Sequence, residues 1–575
     1  MYSTQLWTAI AFIFGVLPLG LSSTEMWDGV VAVHAMTAND WTAMKGWVLD
    51  SNWYLTYAIF LLIDSIQHAW GLPLWISFKL WIMVAIVSIA VEIHLLAKRV
   101  FEIPDSAAAW LPALVFSFPI WYVFFSYTCM IGHLTCVWLA LVGYRLIYSD
   151  KAWIAALGTV AMIVSFQLAS NCAFILALEF GRWWTCKEKT SWSYRRSGLL
   201  LLLSVAVFAA TRLVWPPVGS YVGYNRFLNP LEFSSWASYT KYSFLFSTWL
   251  VLLLPIFVGF WMASARSSGS KEKIIRTLKG SWKTILFLAF LAVAASFPYI
   301  AVGLGSPLFV INLSSATSVS AALASNSSSG PLSVWYGGWG ARHMLLMVVP
   351  MALFASWFVG IGQQVLSPGS TVLNRALSGT FVAAIAVSLA FGVPGHWAKL
   401  KRIADERGMV LALIDKPQLP HGLVDILLDP GEGYVGDLHE TNYVLYLAYK
   451  TTNWAALMVP EAANVRDWGN TERQLKLAQI TNGSHAVASM SVMRGYLQSG
   501  QGCKTVIRIR QTDLSAIDVL WNAEHRPQNL PRTTIDPLST TCENANEFWR
   551  RSKTSKVGQR KLNELPQINE ADKKA

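Results

Sequence analysis

The chain contains the apolar run PLWISFKLWIMVAIVSIAVEIHLLA at residues 73–97, in which only Lys79, Glu92 and His94 are ionisable. About 20 apolar residues are enough for a helix to cross the hydrocarbon core of a bilayer. Lys98 and Arg99 follow directly, and basic residues typically flank a span on its cytoplasmic side. This run therefore predicts a membrane-spanning helix that ends on the inner face.

Composition extends this prediction to most of the chain. Of the 575 residues, 54% are hydrophobic and 14% charged, whereas about a quarter are charged in an average soluble domain. Residues 1–394 hold 23 of the 28 Trp but only 13 of the 33 acidic residues. These figures exclude a soluble enzyme or a disordered chain for this part. They predict an α-helical polytopic membrane protein with a water-soluble C-terminal part.

Eleven spans are predicted in total. The first has no basic segment before it and no clear cleavage site after it, so we interpret it as a helix that stays in the membrane rather than as a signal peptide. The predicted spans are 5–22, 73–97, 107–127, 130–148, 152–167, 170–183, 198–214, 244–264, 281–301, 342–361 and 376–394. Ser165, Gln167, Ser170 and Asn171 lie at the centre of the segment 152–183, where we predict that the fifth and sixth spans are short helices that meet at a polar apex.

The distribution of basic residues gives the orientation. With eleven spans, sixteen basic residues fall in or beside the loops of one face and six on the other. The face rich in Lys and Arg is normally cytoplasmic, so the net charge of +12 indicates membrane orientation rather than a nucleic-acid partner. The N-terminus is then cytoplasmic and the C-terminal part extracytoplasmic.

One segment could change this count. Residues 53–70, WYLTYAIFLLIDSIQHAW, are apolar enough to be a span, and counting them would reverse every later loop. They contain Asp64, Gln67 and His68, and Trp stands at both ends, as in helices that lie in the membrane interface. We therefore predict an interfacial or partly re-entrant helix.

For the C-terminal part, the sequence predicts a small extracytoplasmic α/β domain at 395–550, followed by a charged and disordered tail at 551–575. GLVDILLD (422–429), TVIRIR (505–510) and SAIDVLW (515–521) are strand-like, and NYVLYLAYKTTNWAALMV (442–459) is helix-like. Cys503 and Cys542 are the two cysteines of this domain. In an oxidising compartment they are expected to form a disulfide, the alternative being two unpaired buried thiols.

The first outer loop concentrates acidic residues. Glu25 and Asp28 are three residues apart where the first span leaves the membrane, a spacing that places both on one face of a helix. A carboxylate at the rim of a low-dielectric cavity has a raised pKa, which suits a general base. The alternative is a capping role at the start of the next helix.

Isolated cationic and histidine side chains lie on the same predicted face. They are Lys79, Arg212, Arg226, Lys241, Arg342 and His343. Together with Tyr- and Trp-rich loops they predict an outer cavity for a phosphorylated sugar, because Arg and Lys bind phosphate and aromatic faces pack on sugar rings. Singly, each cation could instead contact lipid headgroups. We find no zinc-type Cys/His spacing and no phosphate-binding loop, so no metal site is predicted and a divalent requirement stays open.

These features resemble the GT-C superfamily of polyprenyl-phosphate-sugar glycosyltransferases, which includes protein O-mannosyltransferases and lipid A aminoarabinose transferases. TEMWDGVVAVHAMTANDW (24–41) is similar to the acidic first outer loop of that family, although E-M-W-D replaces its adjacent acid pair. AALGTVAMIVSFQLASNCAFILALEFGRWW (155–184) resembles its short paired helices, and GARHMLLMVVPMALF (340–354) its Arg- and Pro-containing segment. The likeness covers most of residues 1–394.

The resemblance implies a glycosyltransferase of the bacterial inner membrane. The donor would be a lipid-linked sugar, and Asp28, or else Glu25, would deprotonate an acceptor hydroxyl that attacks with inversion. The cations would neutralise the departing lipid phosphate. The sugar and the acceptor (glycan, lipid or protein) stay open. An O-antigen polymerase or ligase would use Arg and His of a large outer loop instead, and a lipid or glycan transporter would show mid-membrane polar residues and repeated spans.

Overall fold

The computed structural model describes residues 4–21, 29, 32–33, 36, 41–185, 191–214, 216, 226–265, 270–305, 309–311, 334–336, 338–366, 371–414, 422–428, 454–456, 501–510 and 534–544. The chain divides into two compact units. The helical unit comprises Met1–Glu25 and Val48–Leu400, and the second unit comprises Met26–Trp47 and Lys401–Ala575. Glu25, Asp28, and most of the first outer loop lie outside the described residues.

The helices in the first half of the chain are mostly apolar. They are α1 (Thr4–Gly15), α2 (Leu17–Gly20), α3 (Trp41–Asp50), α4 (Tyr54–Trp70), α5 (Leu74–Arg99), α6 (Asp105–Ala108), α7 (Leu111–Ser117), α8 (Trp121–Ser126), α9 (Ile131–Leu146), α10 (Ala152–Ser165), α11 (Ala169–Thr185) and α12 (Ser191–Ala209). A short 3₁₀ helix, Thr128–Met130, precedes α9, and a π-helical turn, Ala210–Val214, follows α12.

The second half continues with α13 (Phe233–Phe246), a 3₁₀ helix (Ser247–Leu253), α14 (Leu254–Ala265), α15 (Ser270–Gly280) and α16 (Trp282–Ile300). Strands β1 (Phe309–Ile311) and β2 (Val334–Tyr336) form an antiparallel pair. A 3₁₀ helix (Gly338–Met347), α17 (Val348–Leu366) and α18 (Thr371–Ile414) follow. Helix α18 continues past residue 394, where the sequence predicted the end of the membrane module.

Six helical segments of the described chain are long and apolar enough to cross a membrane. They are Leu74–Arg99, Thr128–Leu146, Phe233–Ser264, Trp282–Ile300, Gly340–Val365 and Asn374–Val393. Thr4–Gly15 and Ala152–Ser165 are shorter apolar helices. The chain is therefore a multi-pass helical membrane protein. The total of eleven spans, the interfacial position of α4 and the orientation stay predictions.

The prediction of one helix over 107–127 is wrong, because the structure breaks it at Pro119 into α7 and α8. Proline has no N–H to continue the helical ladder and forces the residue before it into an extended conformation. Phe118 accordingly has φ −64° and ψ 126°. The Trp121 indole donates a 2.7 Å hydrogen bond to the Val115 carbonyl, which ties the two short helices together across the break.

The polar apex predicted between two short helices is confirmed, because α10 ends at Ser165 and α11 begins at Ala169. Small residues bring α9 and α10 close together. A Cβ atom at Gly158 would lie 2.6 Å from the Ile147 amide nitrogen, and one at Gly143 would lie 2.8 Å from Met162 Cγ. Such close approach of two helices is typical of membrane proteins, where van der Waals packing drives association.

The second unit contains a mixed sheet. Its strands are β3 (Gly422–Leu428), β4 (Trp454–Ala456), β5 (Gln501–Arg510) and β6 (Thr534–Asn544), in the order β4-β3-β5-β6. Strand β3 is parallel to β4 and β5, and β5 is antiparallel to β6. The strands predicted at 422–429 and 505–510 are present. Trp454–Ala456, predicted as part of a helix, is instead a strand, because it pairs with Gly422–Val424.

The register of β5 and β6 places Cys503 directly opposite Cys542. Residues directly opposite on antiparallel strands have Cα atoms about 4.5–5.5 Å apart, which is within the range of a disulfide. The bond itself stays a prediction. Pro537 lies in β6, the outermost of the four described strands, where a missing backbone donor is tolerated.

Candidate functional site

Polar side chains of the helical unit gather at the two ends of the helix pair α5 and α9. His133 lies in the first turn of α9 and Arg145 in its last turn, about 18 Å apart along the helix axis. Lys79 and Glu92 mark the corresponding ends of α5. We call the set Lys79, His133, Tyr299, Arg342 and His343 the outer polar cluster, since it lies at the ends that the sequence predicts to be extracytoplasmic.

Lys79 is almost completely buried, with 1% of its surface exposed. Its ammonium donates a hydrogen bond to the carbonyl oxygen of Phe125, in α8. Helix α8 packs in turn against the 3₁₀ helix that carries Arg342 and His343. The break at Pro119 therefore has a consequence for the cluster: it turns the chain so that a carbonyl at the end of α8 faces Lys79.

His343 and Tyr299 form the centre of the cluster. Their rings stack with centroids 4.7 Å apart, and the Tyr299 hydroxyl shares a 3.0 Å hydrogen bond with Ser170 at the start of α11. His343 is buried, and its Nδ1 atom has no hydrogen-bond partner among the residues that the structure describes. Arg342 is half-buried and lies close enough to interact electrostatically with His133, Tyr299 and His343.

Two further contacts hold the cluster in place. The ring of His133 meets Trp53 edge-on, with centroids 5.1 Å apart. The Gln167 side chain, at the polar apex, accepts a 2.8 Å hydrogen bond from the backbone N–H of Leu55 in α4. The segment 53–70 is thus bound to the cluster at its first turn. Asn171 Oδ1 at the apex is buried and has no hydrogen-bond partner within the described ranges.

The opposite ends of these helices carry ion pairs. Arg145 donates to both carboxylate oxygens of Glu92, at 2.7 and 2.8 Å. Glu179 accepts hydrogen bonds from Arg182, Tyr144, Tyr148 and Ser197. Glu92 and Glu179 are therefore each paired with an arginine. Outside the predicted spans, a hydrogen bond from Lys98 and the charge of that lysine lower the pKa of the Asp105 carboxyl.

The predicted binding residues therefore divide into groups. Lys79, Arg342 and His343 belong to the outer polar cluster. Arg226 and Lys241 are exposed, and the Lys241 ammonium lies 5.7 Å from the centroid of the Tyr242 ring. The backbone of Arg212 is in the π-helical turn, whereas its side chain is outside the described part, as are Glu25 and Asp28. No group of three metal-ligating side chains occurs in the described part of the chain.

Neither Tyr299 nor His133 is among the candidate binding residues predicted from the sequence. Tyr299 ends an apolar run, where tyrosine is usually an interfacial anchor, and its partner Ser170 is 129 residues away. No local pattern links the two. The one usable signal was the polar apex around Gln167 and Ser170, which is unusual between two apolar helices.

Comparisons with known proteins give one structural neighbour to report. No family model matches the chain, and no curated protein matches it. Among solved structures, the chain is similar to ArnT from Cupriavidus metallidurans in the apo state, with 11% sequence identity, 90% of this chain and 94% of that chain covered, and a TM-score of 0.42. At that TM-score the two chains agree only in outline, so the functional proposal rests on this chain's own residues.

Proposed function

We propose that the protein is a membrane glycosyltransferase that moves a sugar from a polyprenyl-phosphate donor to an acceptor hydroxyl on the extracytoplasmic side, with inversion at the anomeric carbon. The observation that carries the proposal is the outer polar cluster, in which a buried lysine, a half-buried arginine and two histidines lie at one end of an apolar helical unit. The resemblance of the first outer loop and of residues 155–184 and 340–354 to GT-C enzymes supports the same reaction.

The cluster has the chemistry of a phosphate site. Buried polar groups in folded proteins almost always have partners, and His343 Nδ1 has none in the described chain. Arg342 interacts electrostatically with His133 and His343, and Lys79 is bonded to α8, which packs against the 3₁₀ helix that carries Arg342 and His343. Lys, Arg and His side chains bind phosphate through charge-assisted hydrogen bonds. A lipid phosphate would supply negative charge for Lys79 and Arg342 and an acceptor for His343 Nδ1–H.

The cluster would act on the leaving group. As the bond between the anomeric carbon and the phosphate oxygen breaks, negative charge grows on the lipid phosphate. Buried cations stabilise such charge more strongly than exposed ones because they act in a low dielectric. The lipid phosphate departs without a nucleotide, which agrees with the lack of a phosphate-binding loop in the sequence.

The general base is proposed to be Asp28, with Glu25 as the second choice. Gly20 at the end of α2 packs against Met83, where a Cβ atom would lie 2.7 Å from the sulfur, and Met83 is one helical turn from Lys79. Glu25 and Asp28 follow Gly20 in the sequence by five and eight residues. The carboxylate would take the acceptor proton as the hydroxyl attacks.

The test is transfer of a radiolabelled sugar from polyprenyl-phosphate donors by the full chain in lipid vesicles. Asp28→Asn is expected to abolish transfer, or Glu25→Gln if that residue is the base. Lys79→Met should lower transfer about 10²- to 10³-fold, as removal of one charge-stabilising donor does in other enzymes, whereas Lys273→Met, an exposed lysine on α15, should not. Full transfer by both acid variants would exclude Asp28 and Glu25 as the general base. Full transfer by Lys79→Met would exclude the outer polar cluster as the site of the donor phosphate.

A glycan polymerase or ligase is the second candidate, and one observation favours it. Arg342 and His343 directly follow the long Ser- and Gly-rich segment 303–341 and lie within the cluster, as expected for an enzyme that uses Arg and His of a large outer loop. In that case substitution of Arg342 or His343 would abolish the joining of lipid-linked glycans, whereas Asp28→Asn and Glu25→Gln would both remain active.

A further inference from the structure

The turn before α13 and the helix itself carry the most exposed apolar side chains of the described chain. Leu231 is 91% and Phe233 is 87% exposed, and Trp236 and Phe244 are also largely exposed. Isolated exposed apolar residues need no explanation, but a contiguous patch of this kind normally marks an interaction surface. We call these four residues the α13 patch.

Helix α13 has two faces of opposite character. Ser235, Tyr239, Tyr242 and Phe246 recur at helical spacing, and this face packs against the end of α16. A Cβ atom at Gly305 would collide with the Tyr242 ring, and the Phe246 ring stacks on Tyr299 at 6.3 Å. The patch residues Phe233 and Phe244 share the opposite face with the exposed Ala237 and Thr240.

The polar groups of the turn are satisfied inside the turn itself. The Leu231 N–H donates to Asn229 Oδ1 at 3.1 Å, and Asn229 Nδ2 donates to Glu232 Oε1 at 3.0 Å. The Trp236 indole donates to the Pro230 carbonyl at 3.0 Å. The backbone, amide and indole groups of the turn are thus bonded, whereas the exposed Glu232 carboxylate is charged and would be costly to bury. The tip is therefore suited to the polar headgroup layer rather than to the hydrocarbon core.

The patch is continuous with a surface that lipid covers. The candidate span Phe233–Ser264 is 32 residues long, roughly 50 Å with its 3₁₀ segment, whereas the hydrocarbon core is about 30 Å thick. Its far end, at residue 264, is followed by the basic residues of 266–283. The excess length therefore falls at the α13 end, within the headgroup layer.

Exposed cations flank the patch. Arg226 precedes the turn, and Lys241 lies on α13 beside Tyr242. Aromatic residues and cations placed together are characteristic of the membrane interface, where rings sit at headgroup level and cations meet phosphates. The exposure of both cations contrasts with the burial of Lys79 in the outer polar cluster.

We propose that the α13 patch is seated in the interfacial layer of the bilayer, with Arg226 and Lys241 on the phosphates of surrounding phospholipids rather than on the donor phosphate. The patch then fixes the depth of α13 and, through the Phe246–Tyr299 stack, the position of the outer polar cluster at the membrane surface. This inference does not depend on the proposed reaction.

The test is photocross-linking of the full chain in vesicles of phosphatidylethanolamine and phosphatidylglycerol. Phe233→benzoylphenylalanine is expected to give phospholipid adducts at severalfold higher yield than the same change at Phe246, which is buried on the other face of α13. Mass spectrometry of the adducts identifies the partner. Adducts with a second copy of the chain, or a lipid yield at position 233 no higher than at 246, would overturn the proposal.

A second arm separates bulk lipid from the donor. Polyprenyl phosphate added to the vesicles should leave the phospholipid yield at position 233 unchanged. A marked fall would mean that the isoprenoid tail occupies the patch and would also overturn the proposal. Because no sugar transfer is measured, failure here leaves the proposed function untouched, and failure of the transfer assay leaves this inference untouched.

Discussion

Glu179→Gln is expected to destabilise the helical unit strongly. The Glu179 carboxylate is buried and accepts hydrogen bonds from Arg182 at 2.7 and 3.1 Å, from Tyr144 at 2.9 Å and from Tyr148 at 2.5 Å, with Ser197 as a further donor. Gln keeps one acceptor oxygen but removes the charge, which leaves the Arg182 guanidinium, 14% exposed, without its counter-charge.

The magnitude follows from this burial. Removing one partner of a buried ion pair costs about 3–5 kcal/mol, whereas replacing both charged groups is often close to neutral. We expect the lower end, about 3 kcal/mol, because the tyrosine hydroxyls can still donate to the Gln oxygen. The double variant Glu179→Gln, Arg182→Met should therefore be more stable than the single variant.

The assay is the free energy of unfolding in mixed micelles of a mild detergent and sodium dodecyl sulfate. The matched control is Glu272→Gln on α15. Glu272 lies 3.4 Å from Arg276, and both side chains are more than 80% exposed. Such an exposed pair contributes little to the free energy of unfolding. The reasoning is refuted if Glu179→Gln unfolds like Glu272→Gln, or if the double variant is as unstable as the single one. Transfer per folded molecule should be unchanged, because Glu179 is remote from the outer polar cluster.

Three further predictions concern the cluster and the C-terminal sheet. Tyr299→Phe removes the hydrogen bond to Ser170 and should cost about 1 kcal/mol of unfolding free energy while keeping the stack on His343; a loss severalfold larger would show that more than this bond depends on the hydroxyl. Lys79→Met should weaken binding of polyprenyl phosphate in native mass spectrometry, with Lys273→Met as the control; equal binding by both would contradict a phosphate contact. Cys503 and Cys542 should react with a maleimide–polyethylene glycol in the denatured chain only after reduction, and reaction without reductant would disprove the disulfide.

The sequence predicts the membrane character of the fold well because hydropathy depends on composition alone. It fails at Pro119, since an apolar proline counts toward a span although it lacks the N–H that a continuous helix needs. It also fails at Trp454–Ala456, where pairing with β3 overrides a helix-like pattern. Tertiary pairing of this kind routinely outweighs local propensity.

The candidate site was predictable in part for a similar reason. Lys79 and Arg342 stand out because charge is rare in an apolar chain, and a rare charge is informative wherever it falls. The local sequence does not predict which of these charges is buried. Lys79 and Arg226 are both isolated cations in the sequence, yet Lys79 is enclosed between α5 and α8 whereas Arg226 is exposed. The contact between Tyr299 and Ser170 could not be predicted, because it depends on how α11 and α16 pack.

The difference in burial separates two ways of binding phosphate in one protein. Coulomb interactions weaken as the local dielectric constant and the salt concentration rise, so exposed charges are screened most. Arg226 and Lys241, which are exposed, are suited to headgroups that exchange freely and need no selection. Lys79 and Arg342 act where water is largely excluded, so their attraction for a phosphate is strong and depends on its position, which a leaving group in catalysis requires. If both proposals hold, similar side chains serve anchoring or chemistry according to the depth at which the helices hold them.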